Sequence, residues 1–203
     1  MWPAAPIARS TCLKVISSVS SAVPKALATF EQAIQDAEHL LAHFDNLNSK
    51  PPPPENEVLK RAGLILAMTA WETFVEDSLE EVLEQRLKNC SDPAIADLVR
   101  SKLRQEISRL HNPTAEKATE LFRDYAGVDV GKHWKWNGVE AESACRRLNE
   151  YLKLRGDVSH RARVVREGPA QRHAVKREDL ERAIRFLKQL VKATDSALAP
   201  MVK

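Results

Sequence analysis

Over most of this chain, apolar residues recur at steps of three and four, the spacing of one face of an α-helix. After Pro24 that face is Leu27, Phe30, Ile34, Ala37, Leu41 and Phe44. Four consecutive prolines then forbid a helix, so Ser49–Pro54 is expected to be a stiff, extended connection. A long helix is predicted over Glu55–Lys88, with Leu64, Met68, Trp71, Val75, Leu79 and Val82 as its inner stripe. Asp92-Pro93 reads as an N-cap followed by proline at the first helical position. It opens a helix whose apolar residues are Ile95, Leu98, Leu103, Ile107 and Leu110. Asn112-Pro113 is expected to start a short helix, and residues 125–138, with three of the six glycines, read as a loop. Two further helices are predicted over Val139–Ser159 and Glu178–Leu198. In the last, Leu180, Ile184, Leu187, Val191, Thr194 and Leu198 follow a 4-3-4-3-4 pattern. No strand pattern is long enough to build a sheet. The expected fold class is all-α, a helical bundle with a long central helix. Residues 1–23 read as a poorly ordered or loosely helical arm, and 24–203 as the helical domain.

Composition narrows this picture. With 43% hydrophobic and 29% charged residues, the chain is not disordered as a whole, and its 203 residues suffice to bury one core. Cys12, Cys90 and Cys145 are an odd number without metal-ligand or redox spacing. They point to a reducing, cytoplasmic compartment and to neither a disulfide framework nor a zinc site. No apolar run approaches the length of a membrane helix, so no membrane partner is expected. His39 and His43 share a helix face, but they lie off the apolar stripe and have no third ligand nearby, so no metal is expected there.

Charge changes the picture only locally. The chain carries +3, yet Arg155 to Arg177 holds seven Lys/Arg against Asp157 and Glu167, a local +5. Such a cluster attracts phosphate, and it also suits a solvated loop. Arg161, Arg163 and Arg166 are the candidate phosphate contacts within it. The stretch His133-Trp134-Lys135-Trp136 offers two readings: stacking of unpaired bases, or tryptophans that plug a core or a subunit interface.

The sharper signal is Leu154-Arg155-Gly156-Asp157-Val158-Ser159-His160. Spacing alone does not select this Arg and His, because Arg104…His111 and Arg166…His173 satisfy the same rule. Context does: Leu152, Tyr151 and Leu148 precede Arg155 by three, four and seven residues, which puts its guanidinium on an apolar seam. A charge there needs a partner or a shared cleft. Glu72, with Ile65, Met68, Val75 and Leu79 as helical neighbours, is the natural partner, either as a supporting residue of a site or as an ion pair that fixes helix register. His160 lies five residues on, about 140° around an ideal helix. The two side chains converge only if the helix ends or distorts near Gly156–Ser159, where the poor helix former Gly156 permits a break.

An Arg-x4-6-His motif at a helix end, followed by a basic loop and a final amphipathic helix, resembles the HEPN superfamily of helical ribonucleases, and more specifically its RiboL-PSP-HEPN branch. The resemblance covers about residues 58–198. It is carried by Ala70-Trp71-Glu72-Thr73-Phe74, Leu121-Phe122, the loop Asp129–Trp136, the segment Leu148–His160 and the helix from Asp179. Gly156 stands where the family usually has a polar residue, with Asp157 one place later. The resemblance implies an HEPN-like bundle in which two copies pair and line one cleft with both Arg/His motifs. It further implies metal-independent endoribonuclease activity without a cofactor, in a toxin or defence effector with RNA as substrate and an antitoxin protein as a further partner. Arg155 and His160 would be the catalytic pair, supported by Glu72, Asp157 and Ser159. The alternative is a non-catalytic HEPN-like dimer that binds RNA or a partner protein.

Overall fold

The apolar stripes become six helices in the computed structural model, which describes residues 25–47, 53–161 and 175–201. They are α1 (Lys25–Leu47), α2 (Glu57–Leu87), α3 (Pro93–Ile107), α4 (Ala115–Leu121), α5 (Ala141–Arg161) and α6 (Arg177–Leu198). The fold class is all-α, and no strand occurs among the described residues. The arm of residues 1–23 and the first two of the four prolines lie outside the described residues. Pro54 itself is not extended: Pro54–Asn56 makes a 3-10 turn that leads into α2.

Three helices carry the core. The start of α1 meets the end of α2, where the Ala26 N–H donates to Glu81 Oε1 at 2.9 Å. The end of α1 meets the start of α2, where the Lys60 ammonium sits 4.6 Å from the Phe44 ring centre. The two helices are therefore antiparallel. Arg177 grips Asp45 through two bonds of 2.9 and 2.7 Å, and Lys188 reaches Glu38 at 2.7 Å, so α6 also runs antiparallel to α1. Arg177 is thereby committed to holding α6 on α1 and drops out of the basic cluster read from the sequence. At the crossing, a β-carbon on Gly63 would meet Leu180 at 2.8 Å, so glycine is what lets α2 and α6 approach. The inner stripes of α2 and α6 are buried at every position named above.

α3 departs from its pattern. Asp92 does cap it, its Oδ1 accepting from Ala94 and Ile95 at 2.9 and 3.4 Å. Of the five apolar residues assigned to its inner face, however, only Leu103 and Leu110 are buried, whereas Ile95 and Leu98 are 53% and 70% exposed. Thr114, not Asn112, caps the short α4, its hydroxyl accepting from Lys117 at 3.2 Å. Residues 122–139 are more ordered than a loop: a π-turn over Phe122–Ala126 ends at Gly127 (φ 72°), and a 3-10 turn follows over Val130–His133. Together with α5 this segment covers the α2–α6 layer.

Candidate functional site

α5 is amphipathic, with Ala144, Leu148, Leu152 and Val158 buried in the core. Arg155 belongs to that seam, and its side chain is only 20% exposed. The polar group it meets is on α2: Glu72, 16% exposed, whose Oε2 lies 3.5 Å from Arg155 Nη2. That distance makes an ion pair rather than a short charge-assisted hydrogen bond, and among the described residues no other acceptor bonds the guanidinium. The second oxygen of Glu72 accepts the backbone N–H of Asn112 at 3.2 Å. A carboxylate held from both sides fixes the lateral position of the arginine.

The clamp on Glu72 comes from a segment that the sequence pattern assigned elsewhere. Asn112 takes φ 58°, the left-handed conformation that asparagine tolerates better than most residues. Next to it, the Pro113 carbonyl accepts the indole N–H of the fully buried Trp71 at 3.3 Å. The Asn-Pro dipeptide is a turn signal, and nothing in its spacing tells that the turn ends against Glu72. Around the pair, Glu72, Glu76, Glu80 and Glu84 recur every four residues along α2. Arg100 neutralises Glu84 through two bonds of 2.7 and 3.0 Å. Burial raises the Glu76 carboxyl above its usual range, and the negative charges of Glu72, Asp77 and Glu80 add to the rise, while His111 opposes it.

Helix α5 runs unbroken to Arg161, which corrects the expected break at Gly156–Ser159. Gly156 stays out of the left-handed region, and a β-carbon there would meet nothing within 4 Å. With no bend, Arg155 and His160 diverge by about 140° on their own helix. The side chains of His160 and Arg161, and all of Arg163, Arg166 and His173, lie outside the described residues. Ser159 is exposed and, four residues after Arg155, shares its face; Asp157 is partly buried. Arg104 and His111 do not form a pair either. The Glu84 carboxyl is lowered chiefly by the hydrogen bond from Arg100 and least by the charge of Arg104, whereas His111 acts on Glu76, about 12 Å away along α2.

Taken in order, these are a tryptophan-bearing long helix, a turn that clamps its glutamate, and a helix that ends in the Arg155/His160 motif. Residues 30–200 match the RiboL-PSP-HEPN family model. The chain belongs to that family. No curated protein and no solved structure matches it. HEPN domains are often nucleases, and the family points to an RNase-type or RNA-related function. In this HEPN domain Trp134 is no base platform: it is fully buried, its indole N–H donates to Thr194 at 2.9 Å, and its ring packs edge-on against Trp71. Among the described residues no three His, Cys, Asp or Glu gather as a metal site, and no helix is long and apolar enough to cross a membrane.

Proposed function

We propose that the protein is a metal-independent endoribonuclease that acts as a two-fold dimer. The observation that carries this reading is a partly buried, clamped Arg155 on a helix that runs unbroken through position 160, so that the two positions lie about 140° apart around it. One copy alone cannot aim both groups at one phosphate, whereas a two-fold axis along α5 brings the arginine of each copy towards the histidine of its partner. In such a cleft, His160 takes the proton of a 2′-hydroxyl, whose oxygen attacks the adjacent phosphorus as the bond to the 5′-oxygen breaks, and the histidine passes that proton to the departing 5′-oxygen. Arg155 stabilises the charge that develops on the phosphoryl oxygens, and Glu72 holds that guanidinium in place. Asp157 and Ser159 support the end of the helix, and Arg161, Arg163 and Arg166 hold the RNA backbone. Family membership further supports a cytoplasmic toxin or defence effector restrained by an antitoxin protein.

The test is incubation of RNA with the purified protein in EDTA, beside His160→Ala. The expected result is cleavage by the parent protein only, with products ending in a 2′,3′-cyclic phosphate. Binding without cleavage would refute the nuclease and leave a non-catalytic HEPN-like dimer.

A further inference from the structure

The segment before α5 and the C-terminal half of α6 line a surface cavity of about 690 Å³. His133, Lys135, Trp136, Gln189, Lys192 and Ser196 line it, and among the described residues no carboxylate does. That volume suits a nucleotide-sized ligand. The lining combines an aromatic face with cations and a carboxamide, the set that an unpaired nucleotide needs: a platform for the base and positive charge for its phosphates.

The aromatic residue is rigidly presented. Trp136 donates its backbone N–H to the Val139 carbonyl at 3.1 Å and accepts the Val139 N–H at 2.8 Å, and Gly138 (φ 74°) closes the tight turn between them. Its ring packs at 5.7 Å on Phe186, which in turn packs at 5.5 Å on Tyr151. Tyr151 stands one helical turn before Arg155. The platform and the arginine are thus connected through one chain of packed rings and lie less than about 20 Å apart. Lys135 comes only to 3.9 Å from Glu140, an exposed and solvent-screened pair that leaves its ammonium available. Trp134, two residues earlier, is consumed by the core. Of the two tryptophans in this stretch, Trp136 is therefore the one free to meet a ligand.

We propose that this cavity is a subsite for single-stranded RNA, in which a base stacks on Trp136 while Lys135 and Lys192 bind the flanking phosphates. The inference rests on the RNA reading above but not on cleavage. It assigns to the cavity a stretch of the strand a few nucleotides from the bond at Arg155.

The probe is a short fluorescein-labelled 2′-O-methyl oligoadenylate, which has no free 2′-hydroxyl and reports binding alone. Fluorescence anisotropy should show Trp136→Leu weakening its binding by about 5- to 150-fold, the loss expected for one base–aromatic stack. Trp136→Tyr should restore most of the affinity. Lys192→Gln should lower the slope of log affinity against log salt by about 0.7. Because Trp136→Leu also removes packing on Phe186, Ser196→Glu serves as a variant at an exposed position. It places a negative charge in the cavity without touching the core, and should weaken binding as well. Failure of the parent protein to bind the oligonucleotide, or equal binding by Trp136→Leu and Ser196→Glu, overturns the subsite. Unmodified RNA that stays intact while the oligonucleotide binds through Trp136 overturns only the nuclease.

Discussion

Replacing Gly156 with alanine tests whether α5 runs straight through its motif. Glycine in a helix interior costs up to about 1 kcal/mol relative to alanine, chiefly through the backbone freedom it loses on folding. At Gly156 nothing opposes that gain, because the new β-carbon meets no atom within 4 Å and the backbone is not left-handed. The position is five residues from the end of α5, where fraying reduces the benefit, so a stabilisation of about 0.5–1 kcal/mol is expected. In a domain of this size that raises the melting temperature by about 1–4 °C. Thermal and urea unfolding followed by far-UV circular dichroism, at two protein concentrations, reads the effect. RNA cleavage should persist in the variant, since no hinge is removed. Destabilisation at both concentrations would refute the straight helix and return Gly156 to the role of a bend. A loss confined to low concentration would place the new methyl group against a second copy instead.

Other expectations concern the site and its surroundings. Arg155→Ala and His160→Ala should each abolish nearly all cleavage, with the double variant little worse, because the two act in one transition state; additive losses in single-turnover rates would separate them. Neutralising Arg161, Arg163 and Arg166 together should flatten the salt dependence of RNA binding and leave the melting curve intact, and an unchanged slope would make the cluster a solvated loop. For Glu76, burial raises the folded-state carboxyl above its unfolded value, so the native state holds its proton more tightly and stability falls as pH rises from the ordinary carboxylate range through the raised one. Glu76→Gln should remove that fall and unfold at higher urea than the parent at neutral pH; a lower midpoint would show that the charged form makes a favourable contact. Light scattering at tens of micromolar should give a dimer, and a strict monomer would remove the shared cleft.

The helices were legible because their stripes are regular: every inner residue assigned to α2 and α6 is buried. Periodicity failed where amphipathicity did not mean burial. α3 has the spacing of a core helix, yet it lies at the edge of the bundle, and Leu98 faces outwards because no further element covers it among the described residues. The Arg155–Glu72 contact followed from two charges on apolar seams, each of which needs the other. Asn112 could not be found that way, since its contribution is a backbone N–H made available by an unusual φ, and no side-chain pattern encodes it. Helix propensity misjudged Gly156: a weak preference against helix is overridden where Leu152 and Val158, on either side, are anchored in the core. Trp134 and Trp136 are the same residue two positions apart, and only the fold, by giving one of them Thr194, tells them apart.

The row of carboxylates on α2 sets the direction from which a strand can arrive. Glu84 is covered by Arg100 and Glu72 by Arg155, but Glu76, Asp77 and Glu80 between them leave that flank negative. Within a screening length of about 8 Å at physiological salt their field repels a phosphodiester chain. If the protein binds RNA as proposed, the α2 side of Arg155 is the unfavourable approach, and the polyanion should land from the side of α5 and α6, where the 133–136 turn presents His133 and Lys135.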